Sequence, residues 1–348
     1  MDQNINTTLE NRKTLKEKIL MREQEKKAQH ATKDFHFLSA NLSRFMPHIP
    51  LEEHWDIYVN VLYTMRLRDF DLHYLLSLTD ELSNDSEKTI MDPKIYITCH
   101  LGFCKASISL LMLKGISKIA LVVDNNTYVK QAETIYAINN RFREMFNLQN
   151  EFKIVNVEKS NTVVEMMQLI KQGFSLFAYI DGNSGYKGVY NKEKTIDIPF
   201  LDSTIASRTG LSAISYFTRT PIVPLVSYYD EKDYPVTKFL EEIKPNGENI
   251  RTYMATATKQ LYKIFEGYIS DHYDQWESWF YFHKYLDANT LMSKNESFDL
   301  EDISTKDFQS NKFGVFKIDG DSYLFNKEAY KIYPITNNQF DHLNQLAS

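Results

Sequence analysis

The residue with the most evident chemistry is His100, which lies between a strand-like apolar segment and a helix-like segment. Asp124 and Asp181 follow two further apolar segments in the same way. In an open α/β sheet, side chains that follow parallel strands gather at one edge, where ligands bind. An imidazole that meets carboxylates there is the arrangement that general base catalysis uses. The pattern predicts a catalytic edge formed by His100, Asp124 and Asp181, although a structural histidine and two helix-capping aspartates would give the same pattern.

The two cysteines of the chain, Cys99 and Cys104, flank His100. Two thiols exclude a disulfide framework, and a structural zinc site would need more ligands nearby, so we expect no metal. If a helix has already begun at His100, Cys104 lies one turn away and could act as a nucleophile paired with the imidazole. The alternative is that Cys104 is a small buried hydrophobic residue, which is the commoner role.

The segments that must position these residues alternate between strand and helix patterns from Lys94 onward. Strands are predicted over residues 95–98, 119–123, 152–157, 174–180 and 196–200, and from 221 onward. Helical patterns separate them, and the last two cover residues 204–219, as one helix, and 249–286, as one long helix or two. This alternation predicts an α/β fold with a mostly parallel central sheet flanked by helices.

Different patterns precede and follow this region. Residues 1–34 and 36–83 are helix-prone, with a break around Pro47. Near the C-terminus, two apolar segments flank Asp319-Gly320-Asp321, which indicates a β-hairpin. We predict a helical N-terminal extension over residues 1–90, an α/β domain over residues 91–290, and a linker with a small C-terminal element over residues 291–348.

Composition limits the class of protein. The chain has 348 residues, of which 43% are hydrophobic and 25% are charged, so it contains enough apolar residues for a large folded domain. The net charge of -6 does not suggest a nucleic-acid-binding protein. Neither a signal peptide nor an apolar run of about 18 residues occurs. We therefore expect a soluble, cytoplasmic protein, with peripheral contact to a membrane as an alternative.

Several segments, taken in order, resemble those of the bacterial lipid A biosynthesis acyltransferases, the lauroyl and myristoyl transferases of the lysophospholipid acyltransferase superfamily. The segment from His100 to Lys105 resembles their His-x-Gly-Asn-Trp-Glu motif. Residues 178–185, with Asp181 in register, resemble their Pro-Asp-Gln segment, and residues 274–283 resemble their closing Pro-x-Gln-Trp-x-Trp-x-x-His segment. Residues 198–201 and 221–224 resemble blocks that lie between these two. The resemblance covers about residues 38–287 and depends on the order and spacing of the motifs together.

The resemblance implies a lysophospholipid acyltransferase-like fold and transfer of an acyl chain from a carrier thioester to a hydroxyl or amine. In that family a histidine at the place of His100 acts as general base, and an acidic residue five positions later orients it. Lys105 occupies that place in this chain. An ammonium group cannot accept a hydrogen bond from an imidazole N–H, and its charge disfavours the imidazolium. Ordinary family catalysis would therefore need another carboxylate.

A second departure from the family lies at Asp124, where members commonly carry an arginine. Two hypotheses follow from the pair of reversed charges. Either Lys105 and Asp124 face each other as an inverted ion pair, or Asp124 is the carboxylate that orients His100. The alternative is that both positions have diverged in sequence because the site no longer performs chemistry.

Three cations are predicted to bind substrate. Lys187 and Arg208 are candidate contacts for a phosphopantetheine or phosphate group, and Lys105 joins them as a candidate substrate-binding residue. Arg219 is a further candidate for the same contact, but a solvated helix face is the favoured interpretation there.

We therefore predict an acyltransferase with His100 as general base and no tightly bound cofactor. The expected donor is acyl carrier protein or acyl coenzyme A, and the expected acceptor is a lipid, a peptide or a small metabolite. By the resemblance, any peripheral membrane contact would be at the inner membrane. The alternative, from a different class, is a non-catalytic binding or scaffold protein that keeps the acyltransferase fold.

Overall fold

The structure, a computed structural model, describes residues 2–29, 32–72, 93–182, 195–286, 300, 303–309 and 312–347. Its helices are α1 (Asp2–Gln29), α2 (Lys33–Phe45), α3 (His54–Leu72), α4 (Ser107–Leu113), α5 (Asn125–Met145), α6 (Thr162–Lys171), α7 (Gly210–Thr218), α8 (Ile250–Asp271), α9 (Thr305–Gln309) and α10 (Asn337–Ala347). Its strands are β1 (Ile95–Thr98), β2 (Lys118–Val123), β3 (Glu151–Asn156), β4 (Ser175–Tyr179), β5 (Thr195–Phe200), β6 (Ser203–Arg208), β7 (Ile222–Tyr229), β8 (Pro235–Phe239), β9 (Phe313–Ile318), β10 (Asp321–Asn326) and β11 (Lys331–Ile335).

Six strands form the central sheet, in the order β3-β2-β4-β1-β7-β8. The first five run parallel, and β8 runs antiparallel to β7. β1 is the strand between β4 and β7, with Ile95 opposite Leu176 on one side and Ile222 on the other. Every residue of β1 is buried, as expected for a central strand covered on both faces. The prediction of an α/β fold with a mostly parallel sheet is confirmed.

Local sequence signals account for several of the helix ends. Asp124 accepts a hydrogen bond from the Thr127 amide at 2.6 Å and caps α5. Asn249 caps α8 in the same way, through the Thr252 amide at 3.0 Å. Gly173 follows α6 with a φ of +89°, a left-handed conformation that glycine adopts without steric cost and that stops the helix.

Three expectations for the second half of the chain need correction. The helix predicted over residues 204–219 is strand β6 followed by the shorter helix α7. Strand β6 contains β-branched Thr204 and Ile205 and pairs with β5. The segment 196–200 is a strand, but it pairs with β6 in a two-stranded sheet and not in the central one. The helix predicted over residues 249–286 ends at Asp271, and short 3-10 turns follow it.

The chain divides into two compact units. Unit 1 consists of residues 1–67, 199–205 and 274–348, and unit 2 consists of residues 68–198 and 206–273. Unit 2 contains the six-stranded sheet. Within the described part of the chain, every helix is too short or too polar to cross a bilayer.

Unit 1 contains the predicted C-terminal hairpin, which is confirmed as β9 and β10 and extended by a third antiparallel strand, β11. Helix α2 packs against this sheet through Phe37 and Ala40, which contact Phe316 and Phe325. The N-terminal helix α2 and the C-terminal sheet therefore share one apolar core.

Candidate active site

His100 and Asp181 lie opposite each other because of strand register. β1 and β4 are neighbouring parallel strands, and Thr98 at the end of β1 is paired with Tyr179 at the end of β4. His100 comes two residues after Thr98, and Asp181 comes two residues after Tyr179. The equal offsets bring an imidazole and a carboxylate together at the carboxyl edge of the sheet, where open α/β folds bind ligands.

Asp181 accepts two hydrogen bonds from His100. The ring nitrogen Nδ1 lies 2.7 Å from Oδ1, and the backbone amide of His100 donates to Oδ2 at 2.9 Å. The Asp181 side chain is 2% exposed, whereas the His100 side chain is 22% exposed. A carboxylate acceptor holds the proton of neutral imidazole on Nδ1, so Nε2 is the nitrogen that can take up a further proton. This is the geometry of a general base with its orienting carboxylate.

Tyr179 contacts the face of the same imidazole. The two ring centroids lie 4.2 Å apart with an interplanar angle of 20°, which is a stacked arrangement. The Tyr179 hydroxyl donates to the backbone carbonyl of Cys104 at 3.4 Å. Sequence reasoning missed Tyr179, although its place at the end of the strand that leads to Asp181 was a usable signal, because ligands gather at the carboxyl ends of parallel strands.

A buried tyrosine holds the segment that carries Asp181. The Tyr262 hydroxyl donates to the carbonyl of Ile180 at 3.2 Å and accepts a hydrogen bond from the Ser207 hydroxyl at 3.0 Å. Burial raises the pKa of Tyr262, and the negative charge of Asp181 raises it further against the effect of the Ser207 bond. Tyr262 therefore stays neutral as a donor. No sequence pattern pointed to Tyr262, which belongs to α8, some 80 residues beyond Ile180 in the sequence.

The two cysteines that flank His100 in the sequence are both buried. Cys104 lies in a 3-10 turn that starts four residues after His100, so the condition for a Cys104 nucleophile one helical turn from His100 is not met. The Cys104 side chain is buried, and its Sγ accepts a hydrogen bond from Arg68 Nη1 at 3.5 Å. Burial, followed by the charge of Asp181, raises the pKa of the Cys99 thiol and disfavours the thiolate.

Asp124 lies apart from His100, and neither hypothesis about it holds. It follows β2, and β4 lies between β2 and β1, which separates the strands by two spacings, about 10 Å. Its carboxylate caps α5. Among the residues that the structure describes, Asp124 forms no ion pair, so it does not pair with Lys105. The carboxylate hydrogen-bonded to His100 is Asp181.

The three candidate substrate-binding cations have different settings. Lys105 is exposed on the turn after His100. Arg208 is half-buried at the end of β6, directly after Ser207; burial lowers its pKa, and the charge of Glu158 opposes this effect. Lys187 lies outside the described residues. The described part of the chain contains no cluster of three side chains able to hold a metal ion.

No protein-family model matches this chain. No curated protein matches it either. We therefore infer the chemistry of the site from its geometry. An imidazole that is held by a buried carboxylate, and whose side chain is 22% exposed, can remove a proton from a hydroxyl or amine and return it to a leaving group.

Proposed function

We propose that this chain is an acyltransferase that moves an acyl chain from a carrier thioester to a hydroxyl or amine, with His100 as general base. The observation that carries the proposal is the pair of hydrogen bonds from His100 to the buried carboxylate of Asp181. The restriction to acyl transfer comes from the resemblance of the segment around His100, and of the later segments, to the lipid A acyltransferases.

The reaction follows from the roles of the two ring nitrogens. His100 Nε2 takes the proton from the acceptor hydroxyl, and the oxygen forms a bond to the thioester carbonyl carbon. The imidazolium then carries two protons and one positive charge, which the Asp181 carboxylate stabilises through Nδ1. When the carbon–sulfur bond breaks, the leaving thiolate takes the proton from Nε2. The products are an ester and a free thiol, or an amide and a free thiol when the acceptor is an amine.

In our proposal Asp181 is the orienting carboxylate that the chain lacks at position 105, where Lys105 cannot accept a hydrogen bond from the imidazole. The resemblance places the orienting acid at position 105, on the same segment as the histidine. In this chain the carboxylate follows the neighbouring strand, β4, by two residues, and its contact with Nδ1 at 2.7 Å supplies the same hydrogen bond. These contacts support the proposal, because a buried carboxylate is costly unless it is hydrogen-bonded, and both Asp181 oxygens are bonded to His100.

A direct transfer fits the site better than a covalent enzyme intermediate. Cys104 and Cys99 are both buried, and the pKa of the Cys99 thiol is raised. Burial in apolar surroundings disfavours the thiolate, which is the nucleophilic form of cysteine. The acceptor itself is therefore the nucleophile in our proposal, and His100 is the residue that activates it.

The donor that we propose is acyl carrier protein or acyl coenzyme A, both of which present the thioester on a phosphopantetheine arm. Exposed Lys105 and half-buried Arg208 are candidate partners for its phosphate. The acceptor is a lipid, a peptide or a small metabolite, reached in the cytoplasm or at the surface of the inner membrane.

The test is release of thiol from acyl coenzyme A, or from acyl carrier protein with a radiolabelled acyl chain, by the purified full-length protein. Each donor is offered with pooled hydroxyl and amine acceptors and also alone, since water can replace the acceptor. The variant is His100→Ala. The matched control is His342→Ala, because His342 is an exposed histidine of α10 in unit 1.

We expect the wild type and the His342 variant to release thiol at similar rates and to form labelled product. His100→Ala should lower the rate by about 10²- to 10⁴-fold, the usual contribution of a general base. Wild-type turnover equal to that of His100→Ala would reject the proposal and favour the non-catalytic binding or scaffold protein.

A further inference from the structure

Asp181 and Tyr179 reach the same imidazole from two directions. Asp181 accepts a hydrogen bond from the ring edge at Nδ1, and Tyr179 stacks on the ring face at a centroid distance of 4.2 Å. Tyr179 is the last residue of β4 and Asp181 lies two residues beyond it, so both are at the same end of that strand. A hydrogen bond at one edge alone still permits some rotation of the imidazole about the side-chain bonds of His100. A stacked ring on the face removes this rotation.

Tyr179 is itself held at several points. Its hydroxyl donates to the Cys104 carbonyl at 3.4 Å, and its ring makes an edge contact with buried Phe177 at a centroid distance of 5.5 Å. Tyr179 is paired with Thr98 in the β1–β4 register, two residues before His100. The stacking ring is therefore fixed to the strand end, to the turn that follows His100, and to the core of unit 2.

We propose that Tyr179 is a positioning residue for His100: its stacked ring holds the imidazole plane so that Nδ1 stays on Asp181 and Nε2 faces the acceptor, and its π-face stabilises the imidazolium. The second part follows because a cation over the face of an aromatic ring is attracted by the ring quadrupole. This proposal rests on the proposed role of His100 as a base, but the ring contact itself can be measured without any turnover.

The first test compares Tyr179→Phe, which keeps the stacked ring, with Tyr179→Leu, which removes it. The matched control is Tyr216→Leu, because Tyr216 is another half-buried tyrosine of unit 2 whose hydroxyl donates to a backbone carbonyl, that of Glu248 at 3.2 Å. The readout is the NMR signal of the His100 Nδ1 proton, and the pH midpoint of the His100 ring carbon-bound protons, in the full-length protein.

We expect wild type, Tyr179→Phe and Tyr216→Leu to show a slowly exchanging Nδ1 proton and the same midpoint. Tyr179→Leu should broaden this signal and lower the midpoint by about half a pH unit, as expected from loss of a cation–π contact. In the thiol-release assay it should lower kcat roughly 10-fold or more with little change in KM, because a misplaced base affects the transition state. An unchanged Nδ1 signal and midpoint in Tyr179→Leu would overturn the proposal.

A second variant keeps the test decisive if Tyr179→Leu does not fold. Pentafluorophenylalanine at position 179 keeps the ring and its shape but reverses the sign of the charge on its face. We expect the folded protein to retain the Nδ1 proton signal and to show a lowered His100 midpoint. An unchanged midpoint would remove the electrostatic part of the proposal. If wild type releases no thiol while these NMR shifts occur, the proposed function fails and the positioning contact stands.

Discussion

The ammonium group of Lys327 donates a hydrogen bond to the hydroxyl oxygen of Ser39 at 3.2 Å, inside unit 1. Ser39 in turn hydrogen-bonds His54 Nδ1 at 2.9 Å, and all three residues are buried. Burial lowers the pKa of Lys327 to about 7. Burial, and then the charge of Lys327, lowers the pKa of His54 to about 4. Unit 1 therefore contains buried bases that bind protons more weakly than they do in the unfolded chain.

Acid should destabilise unit 1. The pKa of His283, like that of His54, is lowered by burial, to about 3. The unfolded chain therefore binds more protons than the folded chain below about pH 6.5, and the free energy of unfolding falls as the pH falls. The slope should approach about 1.4 kcal/mol per pH unit for each histidine. All three tryptophans, Trp55, Trp276 and Trp279, belong to unit 1, so urea unfolding followed by tryptophan fluorescence between pH 4.5 and 6.5 measures this unit. A free energy of unfolding that does not change over this range would contradict the prediction.

Lys327→Met should abolish a second pH dependence of the stability, which lies in the alkaline range. Because the pKa of Lys327 is about 7 in the folded state, wild-type stability should rise between pH 7.5 and 9.5, by about 2 to 3 kcal/mol. Methionine cannot titrate, so the variant should be more stable than wild type at pH 7.5, and the difference should shrink by pH 9.5. Lys306→Met, at an exposed position of α9, is the control and should keep the wild-type slope. Equal slopes for wild type and Lys327→Met would show that Lys327 is not buried as described.

Asp181→Asn should lower acyl transfer by about 10²- to 10⁴-fold. Asparagine keeps the size of the side chain but not its charge, so the imidazolium formed during transfer loses its stabilising partner at 2.7 Å. The thiol-release assay measures the rate, and circular dichroism checks that the variant is folded. A rate within a few-fold of wild type would mean that His100 works without Asp181.

Asp124→Ala should affect stability and not activity. Loss of the side chain that caps α5 should cost about 1 kcal/mol, whereas Asp124→Ser, which can still cap, should cost much less. The acyl-transfer rate should stay within about twofold of wild type, because His100 is bonded to Asp181. Calorimetry gives the change in Tm. A tenfold loss of rate in a folded Asp124→Ala protein would show that Asp124 takes part in the reaction.

Gly102→Ala should disturb the turn after His100. Gly102 has a φ of +48°, and alanine in this left-handed region costs roughly 1 to 2 kcal/mol. Gly210→Ala is the control: Gly210 is the first residue of α7, and a Cβ there meets no atom within 4 Å. The control should be neutral or slightly stabilising. Calorimetry and the thiol-release assay measure both variants, and a Tm for Gly102→Ala equal to that of the control would disprove the expected strain.

The alternation of strands and helices could be predicted because local patterns specify it. The buried strands β1 and β2, and the caps at Asp124 and Asn249, are visible as apolar segments and capping residues. Residues 204–219 and 249–286 were mispredicted because tertiary context overrode a helical pattern. Strand β6 gains its hydrogen bonds from β5, and in unit 1 the buried ring of Trp276 contacts the buried rings of Trp279 and Phe282.

The sequence by itself determined that His100, Asp124 and Asp181 each follow a strand of a parallel sheet. Only the tertiary structure decided which carboxylate meets the imidazole. Strand order depends on hydrogen bonds between segments distant in the chain, and the crossover that places β4 between β1 and β2 leaves no local trace in the sequence. That one adjacency makes Asp181 the partner of His100, brings Tyr179 onto its ring, and leaves Asp124 as a helix cap.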